Sequence, residues 1–413
     1  MKPLDVQPQG TRIASIHNGS SLFTGDAGQA ESYIRRYLVE NDLVEAIIQL
    51  PNNIFYNTGI STYCWILTNY KEERRRGKIQ LIDASGAYDK LRKNQGNRNC
   101  TIENFRSAIY DVYRHFIECE TEEGAPISSK IFDGDEFRYN SVTIERPLRL
   151  RAQLDPQAIE DILFDPKQGE LTRWLYSTYG EKLFDGLTDE VQDIREYLQD
   201  QEIKITDKNF KKLIDPEAWR ARREFQQAAE MLAREIGTAV FMNYNEFLAL
   251  VTAAAKRLGI AVKPADLDKK ICRVMAVADP EAAPVVARKV KATSKDVTTL
   301  LDVFGIDSDQ LADYGLYAKG KEYIIYESDS DLRDSEKIPV GEDIHDYFLR
   351  EVKPYASDAW INLPATKIGC EISFNKYFYE PKPLRSLEEN EADILALDSE
   401  SQGLIRSLLN LAD

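Results

Sequence analysis

Residues 12–83 constrain this chain more than any other stretch, because strand-like and helix-like segments alternate there without a break. Arg12-Ile13-Ala14-Ser15-Ile16-His17-Asn18-Gly19 reads as a short buried strand running into a turn. An amphipathic helix is predicted over 31–41 and a strand over 43–50. A tight loop, Pro51-Asn52-Asn53-Ile54-Phe55-Tyr56-Asn57-Thr58-Gly59, separates that strand from two more at 61–69 and 78–83. Such alternation predicts an α/β fold with a largely parallel sheet, which binds ligands outside the carboxyl ends of its strands. No glycine-rich phosphate loop precedes these elements. The expectation is that the cofactor-binding half of the sheet lies elsewhere and that the chain starts in the middle of a domain.

At 413 residues the chain is expected to form two or three domains. The first is placed at 1–150, a mostly helical region at 151–300, and a mixed region at 301–413. Within the first, the polar, basic run 89–99 is predicted to be an exposed loop and 104–119 a helix. Alternation over 136–150 predicts a strand that Pro147 ends. In the middle region the clearest helices are predicted at 217–232, where Pro216 suits a helix start, and at 244–258. Further on, 323–327 reads as a short strand. The five carboxylates of 327–336 lack the spacing and central glycine of a calcium loop, so they read as a solvated loop.

Composition narrows the chemistry. A charged fraction of 30% and no long apolar run argue against a membrane span, and the first residues have no apolar core of a secretory signal. The five cysteines, Cys64, Cys100, Cys119, Cys272 and Cys370, lie too far apart for a zinc site or disulfide framework. Reduced thiols in a cytoplasmic protein are the expectation. With only His17, His115 and His345, and no two close in sequence, a histidine metal centre or a Ser-His-Asp triad is not expected. A net charge of −16 argues against gripping DNA alone, though a partner subunit can supply the contacts.

At the far end, Leu387, Ile394, Leu397, Leu404, Leu408 and Leu411 fall on the two apolar positions of a heptad, with Asn390 and Ser401 filling gaps. This predicts a coiled-coil-like helix over about 385–413, serving either as a docking seam or as a terminal helix packed on its own domain.

Several runs together carry a family resemblance. They are His17-Asn18-Gly19-Ser20-Ser21-Leu22-Phe23-Thr24-Gly25-Asp26, Glu31-Ser32-Tyr33-Ile34-Arg35-Arg36-Tyr37-Leu38, and Leu50-Pro51 through Phe55-Tyr56-Asn57-Thr58-Gly59-Ile60. Others are Leu81-Ile82-Asp83-Ala84-Ser85, Thr143-Ile144-Glu145-Arg146-Pro147-Leu148-Arg149 and Leu332-Arg333-Asp334-Ser335-Glu336. Tyr347-Phe348 with Glu351-Val352, Asp358-Ala359-Trp360-Ile361 and Lys376-Tyr377-Phe378-Tyr379 complete the set. In this order they resemble the modification (M) subunit of type I restriction-modification systems. That resemblance implies an adenine-N6 DNA methyltransferase using S-adenosylmethionine, and residues 155–325 contribute least to it.

The resemblance also implies what to look for. The sheet would be the C-terminal half of a Rossmann-like methyltransferase sheet, followed by a mostly helical extension. Family members hold the methyl donor on an Asp/Gly-rich loop and the target amine on an Asn/Asp-Pro-Pro-Phe/Tyr loop. This sequence has no adjacent prolines and no Gly-x-Gly, so no catalytic, cofactor-binding or metal residue is assigned in it. The loop after Leu50-Pro51 resembles the family segment that gives the flipped base an aromatic wall. Phe55 is the matching position, set against the plainer reading of a core anchor at a strand end. Tyr56 and Thr58 are neighbouring candidates for DNA contact.

Expected partners, by the same resemblance, are DNA, a specificity subunit built on long helices, a second M subunit and the restriction subunit, with no membrane. The middle helices could act as a spacer, a restriction-subunit contact or a clamp around DNA. Two other readings stay open: a non-catalytic assembly subunit of the same system, and an unrelated α/β metabolic enzyme, which would need a ligand loop of its own.

Overall fold

A computed structural model describes residues 10–121, 126–164, 168–378 and 386–408. Internal contacts divide the chain into two compact units. One comprises 1–140, 339–341 and 368–413, and the other 141–338 and 342–367.

The first unit is built on a five-stranded sheet. Its elements are β1 (Arg12–Asn18), α1 (Ser20–Phe23), α2 (Ala30–Glu40), β2 (Val44–Leu50), β3 (Thr62–Thr68) and β4 (Lys78–Asp83). They continue with β5 (Asp89–Gln95), β6 (Arg98–Thr101), α3 (Arg106–His115) and β7 (Ser128–Asp133). The strand order is β1-β3-β2-β4-β7. Only β2 and β4 pair in parallel; β3 runs antiparallel to both β1 and β2, and β7 antiparallel to β4. The expected largely parallel sheet is thus corrected to a mixed one. The physical reason at β3 is the short loop after β2: with no crossover helix, a connection that brief turns the chain straight back. A second correction concerns β1, which is an edge strand with no fully buried residue.

Both faces of the sheet are covered, so β2 is buried almost throughout. On one face Ile47, Tyr63, Trp65, Leu67 and Leu81 pack with Leu22, Val39 and Phe137. The same cluster takes in Cys370, Ile372 and Phe374 from late in the chain. That return is fastened by backbone partners. The buried Arg35 guanidinium donates to the Cys370 carbonyl at 2.8 Å and the Cys370 amide to Ser32 Oγ at 3.1 Å. On the other face Ile48, Leu50, Ile82, Ala84 and Ala87 pack with Ile109 of α3 and Ile127.

Residues 89–99 are not the exposed loop expected but most of a β-hairpin, β5–β6. Gln95 pairs with Arg98 across Gly96-Asn97, and Gly96 takes φ +64°. Two-residue hairpin turns need that conformation, and glycine adopts it without strain.

In the second unit the predicted helices are present. Asp215 caps Pro216–Ile236 by accepting from the Glu217 amide at 3.1 Å, and Asn243 caps Tyr244–Arg257 from the Asn245 amide at 3.1 Å. Their apolar faces meet in one core around Leu232, Phe247 and Val251. A second core gathers Leu175, Leu183, Ile194 and Phe210 around Trp219.

A third core lies beneath two small sheets. One has strands Val286–Lys291, Tyr317–Lys319 and Glu322–Tyr326; the other has Asp334–Pro339, Arg138–Glu145 and Trp360–Cys370. Three of the quoted motifs meet here. Arg146 donates to Asp358 at 2.9 Å, and the buried Glu145 accepts from Asn362 at 2.9 Å and lies 3.3 Å from Arg333. Burial alone would raise the Glu145 carboxyl; hydrogen bonds from Ser328, Asn362 and Arg333 outweigh it and hold the group low. Among the described residues no group of side chains could hold a metal ion, and no helix is long and apolar enough to cross a membrane.

The predicted terminal helix runs over Leu387–Leu408. Leu387, Ile394 and Leu397 are 84%, 66% and 65% exposed. Leu411 and Tyr379 lie outside the described residues, as do the side-chain surroundings of Leu404 and Leu408.

Candidate functional site

One end of the five-stranded sheet concentrates the chemistry. Strands β1, β2 and β4 run the same way, and their carboxyl ends are level: Asn18 and Leu50 both sit opposite Thr62, and Gln49 opposite Asp83. The turns leaving these strands therefore rise from one rim, the position where open α/β sheets take ligands.

From this rim the loop after β2 folds on itself. An isolated antiparallel bridge joins Phe55 to Thr58, with Tyr56 and Asn57 at its tip. Phe55 is partly buried against the cluster of Ile48, Leu50, Ala84 and Ile109, whereas Tyr56 is 57% exposed. The three residues singled out in the sequence, Phe55, Tyr56 and Thr58, thus share one turn.

The hairpin β5–β6 is pinned to that loop by its backbone. The Asn97 amide donates to the Tyr56 carbonyl at 2.9 Å and the Asn99 amide to the Asn53 carbonyl at 3.1 Å. Arg98 Nη1 donates to the Tyr56 hydroxyl at 3.1 Å, with the guanidinium 5.3 Å from the ring centre. Approach is close enough that a Cβ on Gly96 would lie 2.7 Å from the Tyr56 carbonyl oxygen.

Between loop, hairpin and the turn after β4 lies a cavity of about 610 Å³. Its lining includes Gln49, Asn52, Asn53, Asn99, Tyr88 and Lys90, and contains no carboxylate. Phe55 does not line it. The amides can donate and accept, and Lys90 adds one positive charge. Nearby, the buried Cys100 thiol donates to the Asn52 carbonyl at 3.2 Å, and burial pushes its pKa up, so it is a thiol rather than a nucleophile. Cys272 and Cys370 are likewise pushed up to about 12 by burial.

Sequence reasoning missed the cavity residues outside the loop. Two signals pointed to them: the Gly96-Asn97 pair as a two-residue hairpin turn, and the carboxyl-end rule applied to the turn after Asp83.

Comparison with known proteins finds several similar sequences. Residues 4–149 match the family model described as N-6 DNA Methylase. Over that part the chain is similar to N-6 DNA methylases. Over 133 residues the chain is 34% identical to the type I restriction enzyme MjaVII methylase subunit of Methanocaldococcus jannaschii, covering 32% of this chain and 21% of that one. Over 168 residues it is 29% identical to the MjaVIII methylase subunit of the same organism, covering 40% and 26%. A crystal structure of a type I restriction-modification system methyltransferase subunit from Streptococcus thermophilus aligns at 28% identity and a TM-score of 0.25, covering 30% and 24%. The chain is thus similar to type I methylase subunits, and its match with MjaVII and MjaVIII spans 21% and 26% of their lengths.

Proposed function

We propose that this chain is the target-handling part of an adenine-N6 DNA methyltransferase organised like a type I M subunit. What supports the reading above all is the N-6 DNA methylase match over 4–149, the segment that contains the Phe55–Thr58 turn at the sheet's carboxyl rim. Phe55 serves as the aromatic wall for the extruded adenine, with Tyr56 and Thr58 contacting neighbouring DNA. An extruded base has lost its stacking partners, and an aromatic face restores about 1–3 kcal/mol.

The family's methyl donor is S-adenosylmethionine, and the residues described here do not fit it. Among them no sheet strand opens into a glycine-rich turn. Where β1 ends, a Cβ on Gly19 would meet the Tyr63 ring at 3.3 Å, so that turn is packed rather than open. In this reading the sheet is the C-terminal half of a Rossmann-like one, and a separate segment carrying the donor loop and the Asn-Pro-Pro-Phe-type loop continues it at β1. The outer edge of β1 has no strand partner among the described residues. The helices that follow β1 leave Phe23, Tyr33, Ile34 and Tyr37 more than half exposed. A free strand edge with exposed apolar side chains is an attachment surface.

The test is reconstitution. The chain is mixed with a donor-binding segment of a type I methylase subunit and a specificity subunit, and methyl transfer from labelled donor to DNA adenine is measured. Transfer is expected, and Phe55→Ala should lower it about tenfold or more while leaving assembly intact. Assembly without transfer would make the chain a non-catalytic, partner-binding subunit instead.

Docking to the specificity subunit falls, in the same reading, to the helix Leu387–Leu408, whose Leu387, Ile394 and Leu397 are exposed. Deleting 387–413 should abolish co-purification with that subunit; undiminished co-purification would remove the helix from this role.

A further inference from the structure

We propose that the asparagine-rich cavity at the rim is a second nucleotide site, holding an unpaired nucleotide of the strand that carries the target adenine. The proposal rests on the methyltransferase reading above but concerns different residues, since Phe55 stands outside the cavity.

Three observations lead to it. First, the cavity's chemistry is that of a base edge. Gln49, Asn52, Asn53 and Asn99 contribute side-chain amides, groups that carry a donor and an acceptor on one plane; the Asn52 oxygen also accepts from the Ser61 hydroxyl at 2.8 Å. Nucleobase edges offer the matching pairs, and an amide meets adenine through two bonds. Second, the charge suits a phosphodiester. In a chain of net charge −16, the cavity wall has no carboxylate. The hairpin beside it carries Lys90, Arg92, Lys93 and Arg98 against a single acid, Asp89, which accepts a hydrogen bond from Asn104 at 2.8 Å. Third, Tyr88 lines the cavity while 40% exposed, leaving ring surface on which a base can stack. A volume of about 610 Å³ falls within the range of small-ligand sites. The hairpin is held by its backbone to the loop that carries Phe55. Adjacent nucleotides of one strand would therefore be gripped by two walls joined through backbone hydrogen bonds.

The experiment is fluorescence anisotropy of the whole chain with a labelled single-stranded DNA containing one adenine, at several salt concentrations. Tyr88→Ala should weaken binding about tenfold, the loss of one base–aromatic stack. On a strand with an abasic position next to the adenine it should cost nothing more. Lys90→Ala should reduce the slope of log affinity against log salt by about 0.7, one phosphate's contribution on a single strand. Unchanged melting temperatures would show that both exposed variants stay folded.

Wild-type affinity in both variants, with Phe55→Ala still impaired, would overturn the second site and leave the methyltransferase reading standing. Loss in the cavity variants alone would support the second site and count against Phe55. Failure of the wild-type chain to bind, or tighter binding of the equivalent RNA strand, would overturn the proposal.

Discussion

Replacing Glu45 with alanine is expected to destabilise the first unit by about 3–5 kcal/mol, enough to remove most of the stability of an ordinary domain. Glu45 is 1% exposed near the start of β2, at the end of the sheet away from the candidate site. It accepts from Arg12 Nε at 2.7 Å and from the Tyr113 hydroxyl at 2.8 Å, and lies 3.7 Å from Arg75 Nε. Arg75 is itself 2% exposed, with its guanidinium 5.0 Å and 4.5 Å from the ring centres of Tyr113 and Phe116. Truncation strands that cation in the interior with no carboxylate, which is the costly way to break a buried pair.

The same residue sets a pH dependence. Burial alone would raise the Glu45 carboxyl, but the hydrogen bonds from Arg12 and Tyr113 and the charges of Arg12 and Arg75 outweigh it and hold the group below its usual range. The contribution is therefore complete above the unfolded carboxylate value, about 4.3, and fades as pH falls through the lower folded value. Denaturant melts of wild type and Glu45→Gln should converge on acidification. A gap that stayed constant from neutral to acid pH would show that the ionised pair is not what Glu45 contributes.

Trp219→Ala is expected to cost the second unit a comparable amount, about 3–5 kcal/mol. The indole is fully buried in the first turn of Pro216–Ile236, parallel to Tyr176 and edge-on to Phe184, both at 6.3 Å. Its Nε1 donates to the Leu213 carbonyl at 2.9 Å, so truncation leaves both a void and an unpaired acceptor. Trp219→Phe keeps most of the volume and should lose far less. Hydrogen exchange locates the damage: amides around Leu175, Ile194 and Phe210 should exchange faster, those of β2 and β4 at the wild-type rate. Equal acceleration in β2 would mean that the two cores are not energetically separate.

What the sequence revealed depended on which force set each feature. Val44–Leu50 was legible as a strand because burial of both faces leaves five of its seven residues apolar, Glu45 and Gln49 being the exceptions. The Asp215 cap came only with the structure, but the helix Pro216–Ile236 was legible over 217–232, with its proline marking the start. Strand direction was not, because apolar alternation in Tyr63, Trp65 and Leu67 is the same whichever way the strand runs. The hairpin at 89–101 was missed for a different reason. Its pairing is held by backbone bonds to the loop at Asn53 and Tyr56, and its side chains are mostly polar, so no apolar pattern marks it. The grouping of Phe55, Tyr56 and Thr58 was legible because they are neighbours in one short loop. Lys90 and Asn99 join them only through the hairpin's fold.

The late return of Cys370, Ile372 and Phe374 to the cluster around Tyr63 has a consequence for synthesis. More than two hundred residues, folding among themselves, separate these from the sheet they complete. On the ribosome, the sheet must wait with one greasy side only partly covered, by Leu22, Val39 and Phe137, until translation passes Phe374, while the inserted unit has already emerged and can settle. Maturation of the first unit is thus timed by its last-made core residues rather than its first, and a chain halted after residue 150 would lack part of the cover over its sheet.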